Sequence, residues 1–313
     1  MSSNERNMTP VVLALSPNYL IPAATCILSI LQHSDDSDTF HVICLLTDSL
    51  SDKDRCELTN IDNKRLVFSF VNLKGRLEGI YINERYTIAA SYRLLLPDLL
   101  PEYNKVLYVD CDVIVRNNLA ELYRETDLSN NYLAGVFEAT LDFQIPHMQT
   151  IGCEAGQYIN SGFLIMNLEL LRKDNMVTKF LEASKEEGLE FPDQDVLNQL
   201  CKGRILGLPP YYNSIRTFFL PQYKERFLKY YTEGDWNAVQ HRGNIHYTGA
   251  KPWEAFTIKF AEWWKYYEML PDNLKMEWQP NKKMYRLYQI YKSPFGRYLI
   301  DGALGMYRKV KYG

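Results

Sequence analysis

The chain has 313 residues, 46% of them apolar, which is enough for an ordinary core in one large domain with extensions or in two modest domains. A formal net charge of −3 argues against wholesale nucleic-acid binding, and neither an apolar signal core near Met1 nor a bilayer-length apolar run is present, so we expect a cytoplasmic protein. The net value hides an asymmetry: residues 281–313 carry eight Lys or Arg against Asp301 alone, giving +7 there and −10 elsewhere.

In chain order, residues 1–9 read as a disordered start. Val11–Leu15 reads as a short buried strand, and Ser16-Pro17-Asn18-Tyr19 breaks it before an apolar helix that runs through Ile30 and Leu31. Phe40–Thr47 is a second strand, followed by a capping-box-like helix start at Ser51-x-x-Asp54, and Leu66–Val71 is a third. Ile88, Tyr92, Leu95 and Leu96 fall at helical spacing, in a helix that Pro97 is expected to end. Lys105–Val115 then reads as one buried strand with Asp110 and Asp112 on one side and Cys111 on the other. The alternation to this point implies an α/β fold with a mostly parallel, right-handed sheet, whose ligands sit beyond the carboxyl ends of its strands. Ser16, Asn18, Asp110 and Asp112 all emerge there.

Two carboxylates in an apolar setting need a compensating cation or proton, and hard oxygen ligands select Mg2+ or Mn2+. Asp-x-Asp is weak alone, since Asp36-Ser37-Asp38, Asp52-Lys53-Asp54 and Asp193-Gln194-Asp195 repeat it, and only the strand context singles out Asp110 and Asp112. No glycine-rich phosphate cradle occurs anywhere, so a metal is left to hold any nucleotide phosphates. The six cysteines form no Cys-x-x-Cys pair and read as reduced, buried thiols.

Tyr132–Phe137 is a further strand ending at Glu138, and the next 20 residues read as an irregular loop. Tyr158–Met166 is a strand interrupted by Asn160-Ser161-Gly162, a composition that marks the close approach of a ligand or of another part of the chain. A helix around Leu170, Val177 and Leu181 follows. Pro192-Asp193-Gln194-Asp195 starts a short helix in which Asp193 suits an N-cap and Asp195 a first-turn acid, whereas Gln194 has no such explanation. Past residue 205 the chain turns aromatic and irregular, up to His246-Tyr247-Thr248-Gly249-Ala250-Lys251-Pro252-Trp253. There a His, a Gly and a Lys suit a metal and a diphosphate.

The Lys-Val-Leu-Tyr-Val-Asp-Cys-Asp-Val-Ile-Val block, Asn160-Ser161-Gly162, Asp193-Gln194-Asp195 and His246-x-x-Gly249-x-Lys251-Pro252-Trp253, in that order, resemble glycosyltransferase family 8 from about Val11 to Trp253. This family of retaining enzymes includes bacterial lipopolysaccharide α-galactosyl- and α-glucosyltransferases. The resemblance implies a GT-A nucleotide-sugar domain, taken as residues 10–275, with Mn2+ (or Mg2+) held by Asp110, Asp112 and His246. It further implies that Ala14, Ser16 and Asn18 line a uridine pocket, that Gly249 and Lys251 contact the diphosphate, and that Arg93, Asn160 and Asp193 hold sugar hydroxyls. Gln194 would lie near the anomeric carbon and Glu138 on the acceptor side. The chain departs from the family at Ser16, where Asp is common, at Arg85, where some relatives have His, and in a late loop one residue shorter between Gly249 and Lys251. Because Gln194 is not a carboxylate, same-face attack by the acceptor hydroxyl is expected rather than a covalent intermediate. The implied reaction moves glucose or galactose from a UDP-sugar to a glycan or glycolipid acceptor.

A haloacid-dehalogenase-like phosphohydrolase also has Asp-x-Asp after a strand, but it needs that motif early and a later acidic pair, and near Gly234-Asp235 the second acid is replaced by Val239. A non-catalytic sugar-nucleotide or glycan-binding module would tolerate loss of Asp110, Asp112 or His246, and none is lost. Residues 276–313 interleave Lys and Arg with Tyr and Phe, which suits a helical segment resting peripherally on an anionic inner membrane face. The competing reading packs Leu287, Ile290 and Tyr291 back onto the domain.

Overall fold

A computed structural model describes residues 8–81, 87–275 and 281–302. Arg85, residues 1–7 of the expected disordered start and the last basic cluster, Arg308, Lys309 and Lys311, lie outside them. A seven-stranded sheet has the order β3-β2-β1-β4-β7-β6-β8, with β1 Thr9–Leu15, β2 Phe40–Leu46, β3 Leu66–Asn72, β4 Lys105–Val109, β6 Leu133–Phe137, β7 Ile159–Asn167 and β8 Ile205–Gly207. Only β7 runs against the others, so the sheet is mostly parallel, as expected from the alternation of strands and helices. The strand starts at Thr9, whose amide donates to the Thr39 carbonyl, so the first strand claims the last of the nine residues read as disordered.

Period-two alternation divides the core between the faces of the sheet. Val11, Leu13 and Leu15 join Phe40, Val42 and Cys44 on one face, which is covered by the apolar helix Leu20–Gln32 and the aromatic helix Phe260–Met269. Val12, Ile43, Val106 and Tyr108 lie on the other face, beneath the helices Leu168–Lys173, Met176–Ala183 and Pro192–Leu200. Five of the six cysteines are buried, and Cys56 is exposed.

The structure corrects four local readings. Lys105–Val115 is not one strand: β4 ends at Val109, a turn closed by the Val113 amide on the Asp110 carbonyl carries the carboxylates, and β5, Val113–Ile114, leaves the main sheet to pair with β9, Ile245–His246. Pro97 does not end the helical run 88–99. A 3-10 turn at Tyr92–Leu95 resets the register, and Pro97 falls in the first turn of the next piece, where its missing N–H is not needed. The segment after Glu138 is not irregular throughout, since it holds a 3-10 turn at Asp142–Gln144 and a helix at Ile145–Thr150. The single helix read around Leu170 to Leu181 is two, broken at Asn175, which adopts a left-handed conformation with φ of 56°.

At the carboxyl end of the sheet, β1 runs into the turn Pro17–Tyr19, β4 into the carboxylate turn, and β9 into the loop that ends at Trp253. The Tyr19 ring stands edge-on to Trp253 at 5.9 Å, so the turn after β1 and the late loop meet across the mouth of the site.

Candidate active site

The pairing of β5 with β9 sets Val113 opposite His246, and this register brings a residue from the last third of the chain to the carboxylate turn. His246 Nε2 lies 3.3 Å from Asp112 Oδ1 and 3.8 Å from Asp110 Oδ2. One ligand atom from each of the three residues falls within 4.8 Å of the others. Asp112 and His246 are buried, while the Asp110 side chain keeps 27% of its surface open to the cleft. Asp112 Oδ1 is buried without a hydrogen-bond partner, which is costly for a carboxylate oxygen unless a cation meets it. Two carboxylates and one imidazole around such an orphan oxygen are a donor set suited to Mn2+ or Mg2+.

Gly162 explains why the strand read as interrupted. The Asp110 amide donates to its carbonyl across the β4–β7 pair at 2.8 Å, and a Cβ added there would run into His246 Cε1 and lie 2.6 Å from Asp110 Oδ2. The close approach that the small and polar residues signalled is that of the three-residue cluster itself.

Lys251 lies 139 positions from Asp112 in sequence, yet its ammonium pairs directly with Asp112 Oδ2 and also donates to the Tyr247 carbonyl at 2.9 Å. The shortened loop therefore does aim Lys251 into the site. Burial works against charge on Asp112, but Lys251 and then His246 outweigh it and hold the carboxyl well below the usual range. Lys251 is pushed up in turn: burial lowers it, and Asp112 more than reverses that.

A second set of groups adjoins the first. Arg93, only 2% exposed, is surrounded by acceptors: Nη2 meets Asp110 Oδ1 at 2.9 Å, Nε meets Asp193 Oδ2 at 3.1 Å and the Ala90 carbonyl at 2.7 Å, and Nη1 donates to the Ser161 carbonyl. Its guanidinium also lies over the Tyr108 ring. Asp193 is not an N-cap. Phe191 occupies that place, and the Asp193 carboxylate turns inward to Arg93 and to the Ser161 hydroxyl at 2.9 Å, while burial raises its pKa. Asp195 does stand in the first turn of the helix, as its sequence position suggests. It is fully buried and accepts from the Tyr158 hydroxyl and, at 3.1 Å, from the Phe191 amide, with His147 Nε2 at 2.8 Å, so it anchors the helix that bears Gln194.

Gln194 Oε1 accepts from the Ser161 amide at 3.0 Å and from Asn160 Nδ2 at 3.1 Å. Glu138 is buried beside them and accepts from Gln144 at 3.1 Å and Asn160 at 3.3 Å, and its burial raises its pKa. Ala14 is half-buried at the end of β1, where its carbonyl accepts from the Cys111 thiol, and Ser16 and Asn18 follow on the turn at the rim. Gly249 is exposed on the late loop with φ of 89°, near Arg216. The structure thus joins Asp110, Asp112, His246, Lys251, Arg93, Asp193, Asn160, Gln194 and Glu138 in one contact network, with Ser16, Asn18 and Gly249 on the loops around it. Sequence reasoning missed Asn213, whose side chain bridges His246 and Asn160, because an Asn in an aromatic loop carries no periodic signal.

Asp235, near which a phosphohydrolase would need a later acidic pair, closes a capping box with Thr232 at the start of the helix Glu233–Arg242 and takes no part in this site. The model of the family described as Glycosyl transferase family 8 matches residues 10–257. A lipopolysaccharide 1,2-glucosyltransferase of Escherichia coli is 28% identical over 267 residues, covering 80% of this chain and 74% of that protein. A lipopolysaccharide 1,3-galactosyltransferase of Salmonella typhimurium is 26% identical over 197 residues, covering 60% of this chain and 58% of that one. The crystal structure of galactosyltransferase LgtC with donor and acceptor sugar analogs superimposes with a TM-score of 0.70 at 26% identity, covering 84% of this chain and 96% of the other. With the four sequence motifs gathered in one site and a family match over most of its length, this chain belongs to glycosyltransferase family 8 and is a glycosyltransferase of the GT-A fold.

Proposed function

We propose that this enzyme moves glucose or galactose from a UDP-sugar to a glycan acceptor with retention of the α configuration, using Mn2+ or Mg2+ held by Asp110, Asp112 and His246. The observation that carries the reading is the convergence of those three side chains on a buried carboxylate oxygen that has no hydrogen-bond partner. When bound, the cation neutralises charge on the departing diphosphate. Lys251 supplies a second positive charge at the same place, where charge develops as UDP leaves. Ala14, Ser16 and Asn18 border the uridine, and Gly249 lets the late loop approach the phosphates. Arg93 spends its donors on protein acceptors, so we assign it to holding Asp110 and Asp193 in place, while Asp193 and Asn160 face the sugar. Gln194 is held by a backbone amide beside the reacting carbon, and Glu138, whose protonated form burial favours, stands on the acceptor side.

The acceptor class follows from relatives whose names specify lipopolysaccharide, and a glycolipid acceptor agrees with the C-terminal segment. The helix Lys282–Tyr291 buries Tyr288 against the helix Phe260–Met269, where Glu268 accepts from Tyr285, Tyr288 and Lys292. Ile290, expected in that contact, is instead 55% exposed, together with Phe295, Tyr298 and Leu299, among Arg286, Lys292 and Arg297. Exposed rings and aliphatics mixed with cations suit the headgroup region of an anionic leaflet, which supports a peripheral position on the inner face of the cytoplasmic membrane. No helix among the described residues is long and apolar enough to cross a membrane.

The test is release of UDP from UDP-glucose and UDP-galactose with Mn2+ and a glycan acceptor, against an EDTA control. Acceptor-stimulated release that EDTA abolishes is expected, and no release from either donor would overturn the reading.

A further inference from the structure

We propose that Asn213 is a positioning residue that fixes the tautomer of His246 and couples it to the amides of Asn160 and Gln194. The inference rests on the metal reading above but is argued from hydrogen-bond polarity. Asn213 is fully buried, with Oδ1 3.0 Å from His246 Nδ1 and Nδ2 3.0 Å from Asn160 Oδ1. Each amide in this chain has two possible orientations, and main-chain donors on β7 select one. The Ser161 amide can only donate, so the Gln194 atom 3.0 Å from it is the carbonyl oxygen. The Gly162 amide likewise requires Asn160 Oδ1 at 3.2 Å, which leaves Asn160 Nδ2 to donate to Gln194. Asn213 must then donate its Nδ2 to Asn160, and only its oxygen remains to face His246. An oxygen there demands a proton on Nδ1.

The other ring nitrogen, Nε2, is thereby turned toward the carboxylates, 3.3 Å from Asp112 Oδ1 and 3.8 Å from Asp110 Oδ2. Two main-chain N–H groups of β7 thus set, through three amides, the orientation of a ring on β9, with Nε2 toward the carboxylates. A ligand histidine is commonly held by such a partner on its second nitrogen. Here the same partner also reaches the groups beside the sugar, so the imidazole and the sugar pocket are oriented together.

Two substitutions separate the two contacts of Asn213. Asn213→Asp keeps an oxygen toward His246 Nδ1 but has nothing to donate to Asn160, whereas Asn213→Leu fills the space and removes both. Long-range 15N–1H spectra of histidine-labelled, metal-free protein read the tautomer directly and need neither ion nor turnover. We expect a proton on His246 Nδ1 in the wild type and in Asn213→Asp, and a shifted or mixed signal in Asn213→Leu. Manganese binding with UDP, followed by electron paramagnetic resonance of the free ion, is expected to weaken about 10- to 100-fold in Asn213→Leu and to persist in Asn213→Asp. In Asn213→Asp, turnover is expected to fall while UDP affinity holds, because only the orientation of Asn160 is lost. An Nε2–H form in the wild type, a native tautomer in Asn213→Leu, or native turnover in Asn213→Asp would overturn the proposal. If the wild type failed to bind manganese while the tautomer behaved as stated, the metal reading would fall and the role of Asn213 would stand.

Discussion

At the scale of single residues, the centre of the site is a charge problem solved by geometry. Asp112 sits almost out of water and is stabilised as an anion by Lys251 and His246, so replacing any member of the cluster leaves an imbalance. Asp110→Ala, Asp112→Ala and His246→Ala are each expected to reduce UDP release to the EDTA background while far-ultraviolet circular dichroism stays native. Near-normal turnover of any one at saturating Mn2+ would show that the cluster is not the metal site. Lys251→Met is expected to lower kcat about 100-fold and to raise the KM for donor, since its charge meets the diphosphate before and after bond cleavage. A variant with unchanged donor kinetics would put Lys251 outside the reaction. The depressed carboxyl of Asp112 also makes a signed prediction. A folded-state pKa below the unfolded value contributes stability that is present above about pH 4 and lost as the pH falls below it. The melting-temperature gap between metal-free wild type and Asp112→Asn should be open at pH 7 and narrow below pH 4, and a gap independent of pH would refute the assignment.

At the scale of elements, β7 does more than complete the sheet. Its antiparallel pairing with β4 puts Gly162 opposite Asp110, and the absent side chain makes room for His246. Gly162→Ala is expected to cost about 1–3 kcal/mol by overpacking and to displace the imidazole. Denaturant melts should show the loss of stability, and manganese titration should show weaker binding. Unchanged values in both would mean that β9 has slack the contacts do not suggest. The helix Pro192–Leu200 is a counterpart to β7. Its first turn points Asp193 and Gln194 at the strand, and the buried Asp195 ties its start to Tyr158 and His147. In the sequence Asp193 and Asp195 look like ordinary helix-start acids and only Gln194 stands out, because a buried inward turn and a solvated cap have the same residue types.

At the scale of the whole molecule, the C-terminal segment sets one buried aromatic face on the catalytic domain and leaves Ile290, Phe295, Tyr298 and Leu299 exposed among cations. The full chain is expected to float with anionic vesicles and to dissociate in high salt, whereas a chain ending at Pro280 should remain in solution. Binding that is equal for both proteins, or indifferent to lipid charge, would refute membrane docking.

The sequence by itself determined the alternation of strands and helices, the mostly parallel sheet and the carboxylate pair of the Lys105–Val115 run, because period-two and period-3.6 burial are local signals. The motif residues were visible as well, Asp110, Asp112, Asn160, Gln194, His246 and Lys251 among them, through the order in which they recur along the chain. Only the tertiary structure decided how they act on one another. That the Lys105–Val115 run bends after Val109 depends on β9 being there to receive β5. The capture of Asp193 by Arg93 and of His246 by Asn213 depends on burial, which leaves polar groups no water to bond and makes each one take the partner that the fold brings near. Such pairings join residues that sheet closure brings together across long stretches of chain, and no local period records them.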